Sequence, residues 1–156
     1  MPSFEFRHVV SFEETNLVGN VYFVNHIRWQ GLCREMFLRE HAPGILDDLK
    51  NGLLLVTVRC SCEYLAEVFA LDEIVIRMSL TAVMQNRVTM RFDYVRTSAS
   101  GDEIVARGEQ QIACMRKQGE ITVPAPIPLK LREVLRRYEA GPQQVGDCSG
   151  SVAESF

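Results

Sequence analysis

The order of periodicities constrains the fold of this chain more than any other property: one long helical segment stands ahead of four runs that alternate with period two. From Val24 to His41 there is no proline and a single glycine, Gly31; helix-favouring residues dominate, and Pro43-Gly44 closes the segment. Residues 43–50 predict a short second helix, stopped at Asn51-Gly52. The period then changes. Leu54, Val56, Val58, Cys60, Cys62 and Tyr64 alternate with polar neighbours, as do Ile74, Ile76, Met78, Leu80, Ala82 and Met84, then Val88, Met90, Phe92 and Tyr94, and residues 103–117 make the last long strand. Turns at Gln85-Asn86 and Ser98–Asp102 predict an antiparallel meander of these four strands, and residues 4–12 predict an earlier one. A sheet with one apolar face must cover it, and the long helix is the element available to do so. The expected class is α+β, with an antiparallel five-stranded sheet wrapped around one long central helix. Pro124, Pro126 and Pro128 interrupt any further ladder, and Leu131, Val134, Leu135 and Tyr138 predict a peripheral C-terminal helix. The domain should cover residues 1–138, and the polar, glycine-rich residues 139–156 predict a disordered tail.

Composition narrows the function. A net charge of −3 and the lack of any basic cluster with interleaved aromatics argue against nucleic acid as a partner. No stretch approaches the ~20 apolar residues needed to span a bilayer, and no basic segment leads into an apolar run at the N-terminus. A soluble, cytoplasmic protein with no membrane partner is expected. The 5 cysteines are scattered and odd in number, which predicts reduced thiols. Cys60 and Cys62 lack the further ligands that a zinc site requires, so no metal is expected. Cys33 reads as a packed core residue more readily than as a nucleophile, although His26 lies two turns earlier on the same helix.

Candidate chemistry concentrates between Glu14 and Arg34. Asn16 either shapes a turn or acts on a substrate, and Gly19 supplies a positive φ angle beside it. Tyr22, Phe23 and Val24 lead into the long helix, whose first N–H groups lack internal partners and carry a partial positive charge. A 3.6 period places Arg34 on a stripe with Ile27, Gly31 and Leu38, where a guanidinium needs either an ion-pair partner, such as Glu13 or Glu35, or a ligand. Glu35 itself points to another stripe and reads as a solvated helix residue. His26, in the first helical turns, is disfavoured in its charged form, and Thr57 interrupts a leucine-rich strand with a hydroxyl.

The stretch from Glu14 to Trp29 resembles the signature of hotdog-fold thioesterases of the 4-hydroxybenzoyl-CoA type, in which an acidic residue stands three positions before the glycine. That position is Asn16, and an amide cannot take a proton from water as a carboxylate can. Where those enzymes commonly carry tyrosine this chain has His26. His41-Ala42-Pro43-Gly44 faintly resembles the histidine-proline-glycine segment of hotdog dehydratases but lies after the helix. Residues 16–38, N-L-V-G-N-V-Y-F-V-N-H-I-R-W-Q-G-L-C-R-E-M-F-L, are more similar to the thioesterases of enediyne biosynthesis, and the resemblance extends to about residue 138. That resemblance implies a homotetramer, a dimer of dimers, which hydrolyses a polyene β-ketoacyl thioester on the acyl-carrier domain of an iterative polyketide synthase. Decarboxylation to a conjugated methyl ketone follows, with no cofactor. It implies catalysis without a carboxylate: the Phe23 N–H and Arg34 stabilise an oxyanion, Asn16 holds water or the carbonyl, and Tyr22 or His26 orients the β-keto group. Gly19 and Thr57 would complete the substrate site. An ordinary acyl-CoA or aryl-CoA thioesterase and a non-catalytic acyl-binding module are the alternatives.

Overall fold

A computed structural model describes residues 2–141. Its elements are β1 (Phe4–Val9), α1 (Val24–His41), α2 (Pro43–Lys50), β2 (Leu53–Tyr64), β3 (Glu73–Val83), β4 (Arg87–Ser98), β5 (Gly101–Gln118), β6 (Ile121–Pro124) and α3 (Leu129–Arg136). The strands form one antiparallel sheet in the order β1-β3-β4-β5-β2, with β6 paired to the end of β5. Two expectations are corrected. The sheet has 6 strands, because Pro124 closes β6 as its last residue, where a missing N–H does little harm. The meander is β3-β4-β5 alone; β2 crosses to the far edge and pairs with β5. The first strand also stops at Val9, and a 3-10 turn at Phe12–Glu14 carries the chain toward α1.

α1 forms where sequence places large side chains one turn apart: Trp29, Cys33 and Phe37 are buried and join Ile76, Met78, Met90, Phe92 and Tyr94 in one core. Burying each such aromatic or aliphatic side chain contributes about 1.5–3 kcal/mol. The sheet can wrap the helix because its pairing register shifts at Thr57/Arg59, Leu80/Ala82 and Tyr94/Val95, and such bulges bend a strand and raise its twist. Ala42 N–H donates to the Leu38 carbonyl at 2.9 Å and ends α1 before Pro43 opens α2.

The bulge in β2 overturns the simple alternation read from its sequence. Thr57 pairs with Ile112 and Cys60 with Gln110, leaving Val58 as the extra residue. Odd positions therefore face α1 up to Thr57, and even positions face it from Cys60 onward. Val56 and Val58 consequently stay exposed, rather than lying on a half-buried face. The tail is corrected at its start: the Leu80 N–H donates to the Tyr138 carbonyl at 2.8 Å and the Ala140 N–H to the Leu80 carbonyl at 2.7 Å, so residues 138–140 bind β3. Residues 142–156 of the expected tail, Cys148 among them, lie outside the described residues.

Candidate active site

The loop between the 3-10 turn and α1 is set by its own polar groups. The Val18 N–H donates to Asn16 Oδ1 at 3.0 Å, the Asn16 N–H to the Asn20 carbonyl at 2.8 Å, and the Gly19 N–H to the Asn16 carbonyl at 3.0 Å. Gly19 takes a φ of 97°, the left-handed conformation expected of it. Asn16 thus shapes the turn with its oxygen and stays partly exposed, which leaves its amide nitrogen for other contacts. Bridges Thr15–Val21 and Asn20–Phe69, with the Val21 N–H donating to the Val68 carbonyl at 2.7 Å, tie the loop to the segment after β2.

A cavity of about 320 Å³ lies between this loop, the start of α1 and residues 64–68; Asn20, Phe23, His26 and Tyr64 line it. Phe23 precedes the first helical residue, and its side chain is exposed. Tyr64 Oη donates to the Phe23 carbonyl at 2.7 Å and holds that peptide in place. The Tyr22 N–H is consumed by the Glu14 carbonyl at 2.9 Å, whereas the leading N–H groups of α1 have no acceptor within the helix. The Tyr22 ring is half exposed and packs on Phe23 at 4.9 Å between centroids, outside the residues that line the cavity.

His26 is 3% exposed and neither ring nitrogen has a hydrogen-bond partner among the described residues. Its ring touches Trp29, Tyr64 and Tyr94. Burial pulls its pKa down to about 4, with a smaller upward pull from the Phe23 backbone, so the imidazole is neutral near pH 7. A neutral ring offers one donor and one acceptor, suited to an uncharged carbonyl or hydroxyl rather than to an anion. As pH falls from 6.5 toward about 4 the unfolded chain binds a proton that the native protein refuses, and stability is lost through that window. The loss is on the order of 3 kcal/mol. Urea unfolding across this range should show the slope in the native sequence and a flatter one in His26→Phe; equal slopes would assign it to other groups.

Arg34 departs from its predicted surroundings. It is aligned one and two turns from Gln30 and His26, both buried, and its Nη1 donates to Gln110 Oε1 at 2.8 Å and to Thr57 Oγ1 at 3.3 Å. Among the described residues it forms no ion pair; neither Glu13 nor Glu35 reaches it. Burial lowers its pKa and the Glu35 charge opposes that, yet both hydrogen-bond acceptors are neutral. Thr57 is therefore brought to Arg34, while Gln110 carried no signal beyond its place on β5. The helix rise puts Arg34 about 16 Å along the axis from Phe23, so the two do not meet in one chain. Cys33 is excluded as a nucleophile: burial raises its thiol to about 12, and His26 packs on aromatic rings instead. His41 ends α1 in a hydrogen bond with Tyr138 at 3.0 Å, an ordinary packing role. Among the described residues there is no group of three or more His, Cys, Asp or Glu that could hold a metal, and no helix is long and apolar enough to cross a membrane.

Comparison with known proteins gives a consistent picture. The thioesterase-like superfamily matches residues 10–136. The dynemicin thioesterase, whose crystal structures describe induced-fit and allosteric effects upon polyene binding, is 47% identical with a TM-score of 0.87, over 90% of this chain and 100% of that one. A putative esterase of Aquifex aeolicus (strain VF5) is 29% identical over 85% of this chain and 98% of its own. A variant of 4-hydroxybenzoyl-CoA thioesterase in complex with 4-hydroxybenzoyl-CoA shares the fold, at 18% identity and a TM-score of 0.76 over 85% of this chain and 98% of that one.

Proposed function

The chain belongs to the thioesterase-like superfamily, a hotdog-fold family, and from that membership we propose that it hydrolyses a polyene β-ketoacyl thioester on the acyl-carrier domain of an enediyne polyketide synthase, with decarboxylation to a conjugated methyl ketone. The observation that carries the reading is Asn16, an amide at the position where the hotdog thioesterase signature places its acid. In our mechanism no carboxylate takes the proton: water adds to the thioester carbonyl, the C–S bond breaks, and the proton goes with the departing carrier-domain thiolate, leaving a β-keto acid that loses carbon dioxide. The Phe23 N–H at the start of α1 receives the thioester oxygen, neutral His26 holds the β-oxygen, and the amide of Asn16 places water. Positioning and charge stabilisation of this kind supply several kcal/mol each.

Arg34 joins this site from a second copy. β2 is a 12-residue edge strand with Val56, Val58 and Cys60 exposed, and a long apolar edge of this kind invites pairing. Its Tyr64 end touches Phe23 and His26, while its Thr57 end touches Arg34. Antiparallel pairing of two β2 edges near Cys60 sets the Tyr64 end of one copy beside the Thr57 end of the other. Each oxyanion site then draws its helix N-terminus from one chain and its guanidinium from the next, and two such dimers form the tetramer.

Incubation with a β-ketoacyl carrier-protein thioester and with a simple acyl-CoA tests the reading. Rapid release from the first supports it; release from the second alone favours housekeeping hydrolysis, and tight binding with no release favours a carrier module. Asn16→Asp keeps the turn, since a carboxylate oxygen accepts the Val18 N–H equally well. Its turnover should not rise; a gain on the order of 100-fold or more would mean that a general base was simply missing.

A further inference from the structure

Two residues before Asn16 stands a carboxylate that the mechanism above does not use. Glu14 is 6% exposed and accepts four hydrogen bonds: from His8 Nε2 at 2.7 Å, the Ser11 N–H at 2.9 Å and Ser11 Oγ at 3.1 Å on Oε1, and from Trp29 Nε1 at 2.6 Å on Oε2. Its backbone carbonyl accepts two more, from the Tyr22 N–H at 2.9 Å and Asn25 Nδ2 at 2.9 Å. One residue therefore ties β1, the 3-10 turn, the first turns of α1 and the end of the loop together. Burial alone would raise the carboxyl, but Ser11, His8 and Trp29 outweigh it and hold its pKa below the usual value. A buried carboxylate that is bonded on both oxygens and held below its usual pKa is a poor acceptor for a proton from water, which argues against it as a substitute base.

We propose that Glu14 is the positioning residue of the oxyanion site: its carboxylate fixes α1 through Trp29, while its carbonyl withdraws the Tyr22 N–H, so that of these two adjacent N–H groups only that of Phe23 is left for the substrate at the loop's end. The inference rests on the assignment of the Phe23 N–H as the donor. It adds a reason why that N–H and not the Tyr22 N–H is left for a substrate. Two donors are one residue apart, and the Glu14 carbonyl can engage only the first. The side chain and the carbonyl act together, because the carboxylate's four partners determine where the carbonyl lies. Ser11, three residues earlier, completes a capping box with Glu14 around the 3-10 turn.

The test compares native protein with Glu14→Gln, Ser11→Ala and Trp29→Phe, using a β-ketoacyl N-acetylcysteamine thioester and measuring kcat, KM, thermal midpoint and amide hydrogen exchange. An ångström of displacement in the donor is expected to lower kcat of Glu14→Gln on the order of 100-fold. KM should change little, since most of the substrate is held elsewhere, and exchange of the Tyr22 amide should accelerate. Each single-donor variant should lose less of kcat than Glu14→Gln while remaining folded. Should Glu14→Gln prove unstable, Ser11→Ala and Trp29→Phe carry the test alone. Retained kcat in folded variants, with only the thermal midpoint lowered, overturns the proposal and leaves Glu14 a stability residue. Native protein inactive on the thioester defeats the functional reading instead, whatever the Tyr22 amide does, so the two failures are distinguishable.

Discussion

Replacing Arg34 by alanine should lower kcat/KM for a β-ketoacyl thioester by on the order of 100- to 1000-fold, the size of effect seen when a donor to a developing oxyanion is removed. Glu35→Ala, one residue away, should stay within about threefold, as substitutions at exposed positions generally do. The difference follows from how the guanidinium is held. Thr57 and Gln110 orient it with neutral oxygens, and among the described residues no carboxylate pairs with it, the Glu35 charge acting without contact. A guanidinium kept only for stability would be expected to meet an acid, because a half-desolvated charge without one is costly. Arg34→Lys should fall between the two, since an ammonium keeps the charge but cannot bridge two acceptors in one plane. Steady-state kinetics on the three variants decide the matter. Small and equal losses for Arg34→Ala and Glu35→Ala would remove Arg34 from the site, and with it the argument that two copies build one active centre.

The neutral surroundings of Arg34 also explain why Asn16 need not be a defect. In the proposed dimer an acid at position 16 would face a strong cation contributed by the second copy, and the pair would neutralise one another in the resting site. With asparagine there, the positive charge is left for the oxyanion.

What could be read from sequence follows the range of the interactions involved. α1 at Val24–His41 and α2 at Pro43–Lys50 match the predicted limits, because helix spacing and the Pro43 stop are local signals. Gly19 and its positive φ were legible for the same reason. The path of β2 was not: its exposed Val56 and Val58 look like core residues until the bulge and the edge position are known. Arg34 was placed on the correct helix, but choosing between its apolar neighbours Ile27 and Leu38 and its polar ones His26 and Gln30 needed the sheet that α1 packs on. Gln110 lies 76 residues away from Arg34, beyond any local pattern. Glu14 did have a local signal, the Ser11-x-x-Glu14 capping box, but its burial depends on His8 from β1 and Trp29 from α1, which no local pattern brings together.

Gly108→Ala should be among the most destabilising single-methyl additions in the protein, although the site looks like an ordinary strand position. A Cβ on Gly108 would stand 2.1 Å from Gln30 Nε2 and 2.9 Å from the Ser61 carbonyl oxygen. Gln30 is fully buried and donates to that same carbonyl at 2.9 Å, and its own Oε1 already lacks a partner. The methyl group cannot be accommodated by β2, because Cys62 is paired directly with Gly108. Gln30 must therefore move, losing its bond and pressing on the core. Overpacking of this kind costs about 1–3 kcal/mol, and a buried hydrogen bond lost with its partner left behind about 1–3 kcal/mol more. A thermal midpoint lowered by on the order of 10 °C is the expected result. Because Gln30 lies between His26 and Arg34 on α1, the displacement should reach both halves of the site, and turnover should fall in protein that is still folded. Gln30→Ala in the same chain removes the obstructing amide, so the double variant should be more stable than the sum of the two single changes by about 1 kcal/mol or more. Denaturant midpoints for the four proteins measure that coupling. Strict additivity, or a Gly108→Ala protein as stable as the native one, would show that glycine at this position serves no close approach of helix to sheet.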